Sequence, residues 1–176
     1  MGRGTGSGNT FSLWAYNVYD RREGSKVPAF DFSNTMDLLP GIIRAISMEI
    51  NACAYYMALM ETAPGNTEKE LISRMIEENI LGCNLYRDVY EKLAGCPPVI
   101  LTPESPEIEN FEKGISNAFM DETRAYRLYR DLSNRNPDEF IRRILLSSMS
   151  DKEQHAMRLL FMGAYSGSRE EQEVER

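Results

Sequence analysis

The sequence predicts an all-α four-helix bundle built from two helical hairpins joined by a long crossover. Three observations carry this. Apolar residues recur at a helical period over four stretches, a proline-rich segment separates the second stretch from the third, and the chain aligns with itself at an offset of 73 residues. No stretch alternates as a strand does.

The first helix is expected from about Asp37 to Glu61, with Pro40 tolerable only in its first turn. Its apolar stripe contains Leu39, Ile42, Ile43, Ile46, Ile50, Cys53 and Met57. Ala63-Pro64-Gly65-Asn66 breaks it. A second helix is expected from Thr67, where Thr67 and Glu70 have the spacing of a capping box, to about Ala94-Gly95. Pro97, Pro98, Pro103 and Pro106 then keep the chain extended, long enough to run nearly the full length of a helix. The third helix is expected from about Pro106 to Ser133. Asn136-Pro137 supplies a cap and a first-turn proline for the fourth, which runs to about Met162.

Residues 1–33 read as a non-helical, flexible arm, glycine-rich from Gly2 to Gly8 and then aromatic at Phe11, Trp14, Tyr16, Tyr19, Phe30 and Phe32. The bundle is expected over residues 34–165 and a solvated acidic tail over 166–176. A chain of 176 residues suits one domain of ordinary size, and 42% hydrophobic with 27% charged residues is a globular composition. The net charge of −7 argues against nucleic acid or an anionic membrane as partner. No apolar run is long enough to span a bilayer, and MGRGTGSGNT lacks the apolar core of a secretory signal, so the expected address is the cytoplasm. A homodimer is expected, formed through the aromatic arm or an outer helix face. Cys53, Cys83 and Cys96 form no Cys-x-x-Cys pair, which excludes a zinc ribbon or a four-cysteine iron site; Cys53 and Cys83 read as small core residues.

The repeat pairs Glu49 with Glu122, Ala52 with Ala125, Tyr56 with Tyr129, Leu59 with Leu132 and Pro64 with Pro137. Under the same offset Glu78 meets Asp151, Asn79 meets Lys152 and Gly82 meets His155. Both odd-numbered helices therefore carry Glu-x-x-Ala-x-x-x-Tyr. Each glutamate lies inside an apolar stripe, where a carboxylate costs several kcal/mol unless a cation or hydrogen-bond donor meets it. A pseudo-twofold axis would bring the two together in mid-bundle. They would then need a cation, a shared proton, or both.

The paired Glu-x-x-Ala-x-x-x-Tyr motifs, with SDKEQHAMRLL in the last helix, resemble the rubrerythrin branch of the ferritin-like superfamily over about residues 37–163. The resemblance implies a ferritin-like bundle around a carboxylate-bridged di-iron or di-manganese centre, with ferroxidase or peroxide-reducing chemistry. In that family one glutamate comes from each of two helices and a Glu-x-x-His from each of the other two. Carried over by position, Glu49, Glu122 and His155 remain as possible metal ligands. Lys152 stands where a glutamate is wanted, and Asn79-Ile80-Leu81-Gly82 replaces the other Glu-x-x-His. Glu78 and Asp151 match acids that orient the ligating histidines. No four-cysteine electron-transfer module is present in this sequence.

Two readings follow. In one, Lys152 replaces the metal and its ammonium satisfies Glu49 and Glu122, although a lysine three residues before the histidine can also point outward. In the other, Glu49, Glu122, His155 and either Glu78 or Asp151 collect one iron or manganese ion, so the cofactor is either none or a single Fe or Mn. The first describes a non-catalytic binding or structural module with an incomplete di-metal site. The second describes a metal-dependent oxidoreductase acting on peroxide or oxygen at a diverged or mononuclear site. Weaker signals have plainer readings. Tyr56 and Tyr129 could hydrogen-bond a metal-bridging group but read more plainly as packing, methionines such as Met57, Met75, Met120 and Met162 as core filling, and Arg124, Arg127 and Arg130 as a salt-bridged face.

Overall fold

The computed structural model describes residues 38–103, 106–136 and 138–174, with side chains described to Tyr165. The expected arm, residues 1–33, and Pro137 lie outside the described residues. Four helices follow one another: α1 Leu39–Glu61, α2 Asn66–Ala94, α3 Phe111–Arg135 and α4 Glu139–Val174. No strand occurs among the described residues, and no described helix is long and apolar enough to cross a membrane.

Pro40 sits in the first turn of α1, where its missing N–H has no partner to lose. At the other end of the hairpin, α2 closes on Gly95, whose φ of 72° is the left-handed conformation that glycine adopts without strain. Other helix ends differ from expectation. The backbone of Gly65 starts α2 with no side-chain cap, so the Thr67–Glu70 box does not form, and Glu68 is fully buried in that first turn. Helix α3 starts five residues after Pro106, because the side chain of Asn110 accepts a hydrogen bond from the Lys113 N–H at 2.9 Å. At α4 the cap is Asp138, which accepts from the Ile141 N–H, while Asn136 accepts from the Asp138 N–H and shapes the turn before it. The same helix continues past Met162 to Val174. No proline interrupts that stretch, and its Arg, Glu and Gln residues have good helix propensity.

Helix α1 packs on α2 and α3 on α4, and the two hairpins meet through α1–α3 and α2–α4. Hydrogen bonds set the α1–α3 direction: Tyr56 on α1 reaches Glu122 on α3, and Tyr129 on α3 reaches Glu49 on α1. These crossed pairs fit only antiparallel helices. With α1 antiparallel to both neighbours, α2 and α3 run the same way. The connection must therefore climb the bundle. Residues 95–110, extended at about 3.3 Å each, reach roughly 50 Å, against about 43 Å for a helix of α2's length.

The 73-residue repeat extends into the packing. A Cβ on Gly41 would lie 2.6 Å from Leu132, and one on Gly114 would lie 2.5 Å from Leu59. Gly41 and Gly114 are equivalent under the offset, as are Leu59 and Leu132. Each glycine thus admits the leucine of the opposite hairpin and lets α1 and α3 approach at both ends. Around them Tyr56, Leu59, Ile72, Met75, Phe111, Ile115, Leu159 and Met162 form one apolar cluster. Fully burying each aliphatic member contributes roughly 1.5–3 kcal/mol. Met57 and Met120, expected inside, are about half exposed; the buried stripe of α1 keeps the expected Ile42 and Ile46 and adds Ala45, Glu49, Tyr56 and Leu59.

Candidate functional site

At mid-bundle the apolar cluster gives way to a buried polar group contributed by all four helices. Glu49, Asn79, Glu122, Lys152 and His155 are each no more than 3% exposed. Helical spacing puts them there. Glu49 lies three residues after Ile46 on the buried face of α1, and Glu122 four residues after Ala118 on that of α3. Lys152 and His155 are one turn apart on α4, so both side chains project to the same side.

The Lys152 ammonium lies 2.8 Å from Glu49 Oε2 and 3.8 Å from Glu122 Oε2, and it donates to Asn79 Oδ1. Tyr129 donates to Glu49 Oε1 and Tyr56 to Glu122 Oε1. Each tyrosine serves the glutamate of the other half, as the pseudo-twofold axis requires. His155 has a carboxylate at both ring nitrogens, Glu78 Oε2 2.8 Å from Nε2 and Glu122 Oε1 3.3 Å from Nδ1. Arg158 closes the row by donating to both oxygens of Glu78. Tyr86 stacks on Tyr129, with ring centroids 5.7 Å apart, and donates to Ser148.

Charge states follow from these contacts. Burial pulls the Lys152 pKa down, but Glu49 and Glu122 outweigh it and hold the group above its ordinary value, as an ammonium. Burial raises the Glu122 carboxyl, yet Lys152, His155 and Tyr56 bring it below the usual range. For His155 burial opposes charge and the bonds to Glu122 and Glu78 prevail, so its pKa rises. Burial likewise acts against the Glu78 carboxylate, while His155 and Arg158 lower it to about 2. The Tyr56 and Tyr129 hydroxyls are pushed well above their ordinary value, first by burial and then by the carboxylates they serve, so both remain donors.

The structure thus brings Glu49, Glu122, His155, Lys152 and Glu78 together. Asp151 is half-buried, its carboxyl pKa raised chiefly by burial. Its repeat counterpart Glu78 orients His155. On the Asp151 side the equivalent histidine position holds Gly82, so there is no ring to orient. A Cβ on Gly82 would approach the Glu49 Cδ to 3.3 Å, so the glycine leaves room for that carboxylate. Three functional roles escape a reading by spacing: Gly82 as room for Glu49, Asn79 as acceptor for Lys152, and the tyrosine hydroxyls as donors. The seven-residue interval from each glutamate to its tyrosine was the available signal, since two turns return to the same face.

A di-metal centre does not fit these residues. Three of the six ligand positions that the rubrerythrin resemblance implies hold Lys152, Asn79 and Gly82, and a cation already lies against the carboxylates. Tyr129 and Lys152 take the two oxygens of Glu49, while Tyr56 and His155 share one oxygen of Glu122. Among the described residues no group of three or more His, Cys, Asp or Glu side chains is disposed to hold a metal ion. Elsewhere, Arg124 pairs with Asp121 and Arg130 with Asp131 on the exposed face of α3. Cys53, Cys83 and Cys96 are free thiols, and burial lifts the Cys53 pKa to about 11, so it is not a reactive thiolate.

No protein-family model matches the chain, and no curated protein does. Solved structures share its architecture, two of them as follows. A hypothetical protein from Pyrococcus furiosus superposes with a TM-score of 0.65 at 22% identity, covering 77% of this chain and 95% of that one. A two-domain protein from Anabaena variabilis, containing DJ-1/ThiJ/PfpI-like and ferritin-like domains, gives a TM-score of 0.63 at 13% identity. That match covers 89% of this chain and 49% of the other. Identities this low speak to fold alone: the chain is an all-α four-helix bundle of the ferritin-like kind.

Proposed function

We propose that this protein is a non-catalytic binding or structural module, a rubrerythrin-like bundle in which the Lys152 ammonium does the electrostatic work of the metal. The observation that carries this reading is the position of Lys152 Nζ, 2.8 Å from Glu49 and 3.8 Å from Glu122. Like-charged carboxylates in a low-dielectric core need a counter-charge between them, and here an amino-acid side chain supplies it. Tyr129 and Lys152 hold Glu49, and Tyr56 and His155 hold Glu122, each through protein groups alone.

The test is metal content per chain of protein expressed with iron and manganese supplied, beside the Lys152→Glu variant. The expected result is near-zero metal in the parent and metal gained by the variant, whose new carboxylate would join Glu49, Glu122 and His155. About one or two equivalents in the parent would overturn the reading and favour a metal-dependent oxidoreductase, with peroxide turnover as the next measurement.

A further inference from the structure

A cleft of about 380 Å³ opens between α1, α3 and the proline-rich crossover and descends to the buried polar group. Its walls are largely apolar, formed by Met48, Ala52, Tyr55, Pro103 and Pro106, and its floor includes Glu122 and Lys152. At the rim Arg124 donates to Asp121, so the mouth carries a neutralised pair rather than a net charge. Volume and lining match the lower end of small-molecule sites, which combine apolar walls with a few convergent polar atoms.

The floor has unused hydrogen-bonding capacity of both kinds. Glu122 Oε2 is buried and accepts no hydrogen bond. A lysine ammonium has three N–H donors, and those of Lys152 reach Glu49 and Asn79, which leaves one. That nitrogen and Glu122 Oε2 stand 3.8 Å apart, too far for a hydrogen bond to each other. A small shift of these two side chains toward the cleft would admit one hydroxyl group between them, accepting from Lys152 and donating to Glu122 at once.

We propose that this cleft binds a small, neutral, apolar molecule bearing a hydroxyl group, with the hydroxyl on Lys152 and Glu122 and the apolar body against Met48, Ala52, Tyr55 and the crossover prolines. The inference rests on the reading that Lys152, not a metal ion, faces Glu122. It adds the chemical class of ligand that such a floor recognises.

The probe is benzyl alcohol, with toluene as the matched molecule that lacks the hydroxyl. Both are titrated into the full chain carrying labelled alanine and methionine methyl groups, observed by NMR. Saturable shifts are expected at Met48, Ala52, Ala118 and Ala125, with benzyl alcohol bound at least about tenfold more tightly than toluene, because only the alcohol satisfies the buried pair. Ala52→Leu, which fills the cleft from its wall, should abolish the shifts at the other three methyl groups while leaving the far-UV spectrum and the melting temperature near those of the parent. Equal affinity for toluene overturns the proposal, as do shifts that persist in the folded variant. Absence of saturable shifts means that water alone satisfies the floor, which also overturns it. The comparison of the two probes stands on the parent protein should Ala52→Leu fail to fold. Metal analysis of the same sample separates the two failures. Bound metal defeats the lysine reading itself, whereas metal-free protein that ignores benzyl alcohol defeats only the ligand.

Discussion

Replacing Lys152 with methionine keeps an unbranched side chain, one atom shorter, and removes its charge. At an effective dielectric of about 20, unit charges at the separations seen here attract by about 6 kcal/mol for Glu49 and about 4 kcal/mol for Glu122. These are gross terms, offset by the several kcal/mol it costs to strip water from a buried ammonium. What decides the outcome is what remains. Glu49 and Glu122 would face each other with no cation between them, and Asn79 would lose its donor. Breaking a buried pair in this way costs about 3–5 kcal/mol. For a chain of this size each kcal/mol moves the melting temperature by roughly 2–4 °C, so a fall of roughly 6–20 °C is expected.

Urea unfolding of the parent, Lys152→Met, Glu49→Gln and the double variant closes the cycle. Glutamine at position 49 keeps an acceptor for Tyr129 and no longer needs the ammonium, so the double variant should be more stable than the sum of the single losses predicts. The coupling should reach about 2–3 kcal/mol. Acidification should narrow the deficit of Lys152→Met, because one of the two carboxyls can then hold a proton between them. A loss below about 1 kcal/mol for Lys152→Met, additive with that of Glu49→Gln, would refute the view that this ion pair organises the core.

Four further outcomes are expected. The raised pKa of His155 means that its contribution to stability is complete below about pH 6.5 and is lost as pH rises through the folded-state value, so the urea midpoint should fall on the alkaline side, and His155→Gln should flatten that slope. The lowered pKa of Glu78 acts at the other end: its contribution is present above about pH 4.5 and is lost as pH falls toward about 2, a small effect because the side chain is partly exposed; Glu78→Gln should remove that acid limb from the urea profile. Gly114→Ala would press a Cβ to 2.5 Å from Leu59 and 2.9 Å from Ile108, and despite the better helix propensity of alanine it should lower stability by about 1–2 kcal/mol in thermal unfolding; an unchanged melting temperature would show that α1 and α3 have slack there. Glu68 is fully buried with both carboxylate oxygens unpartnered, and its repeat counterpart is the buried Ile141, so Glu68→Leu should stabilise the fold by roughly 1–3 kcal/mol, while a loss of stability would reveal a partner for the carboxylate.

Periodicity located all four helices, and the prolines between Pro97 and Pro106 announced the crossover, because both signals are local and strong. Helix ends were less legible. Thr67 with Glu70 has the spacing of a capping box and stays unused, whereas α3 is capped by Asn110, which the helical period did not single out. Glu68 shows the same limit from inside the helix. It falls at a core position by spacing, but its charge reads as surface, and only the folded bundle shows it buried. At the mid-bundle site the repeat puts Glu49 and Glu122 on facing stripes, which symmetry alone requires to meet. Where Lys152 points is another matter. Its direction depends on the room left by Gly82 and on an acceptor from α2, neither of which spacing along α4 can express.

The duplication itself explains why this core carries a buried ion pair. Two copies of one hairpin, related by a pseudo-twofold axis, place two carboxylates at the centre whatever the rest of the sequence does. The elements of α1 and α3 that serve the axis have stayed alike: glutamate, crossed tyrosine, and the glycine that admits the opposing leucine. Divergence is concentrated on α2 and α4. Lys152 and His155 both come from α4, while α2 answers with Asn79, Gly82 and Glu78, which respectively accept from the lysine, make room for Glu49 and hold the imidazole. Changing Lys152 alone would leave two acids opposed, and changing Gly82 alone would crowd Glu49. The α2 and α4 positions at the centre therefore work as one set, and there the symmetry between the hairpins is broken to balance the charges.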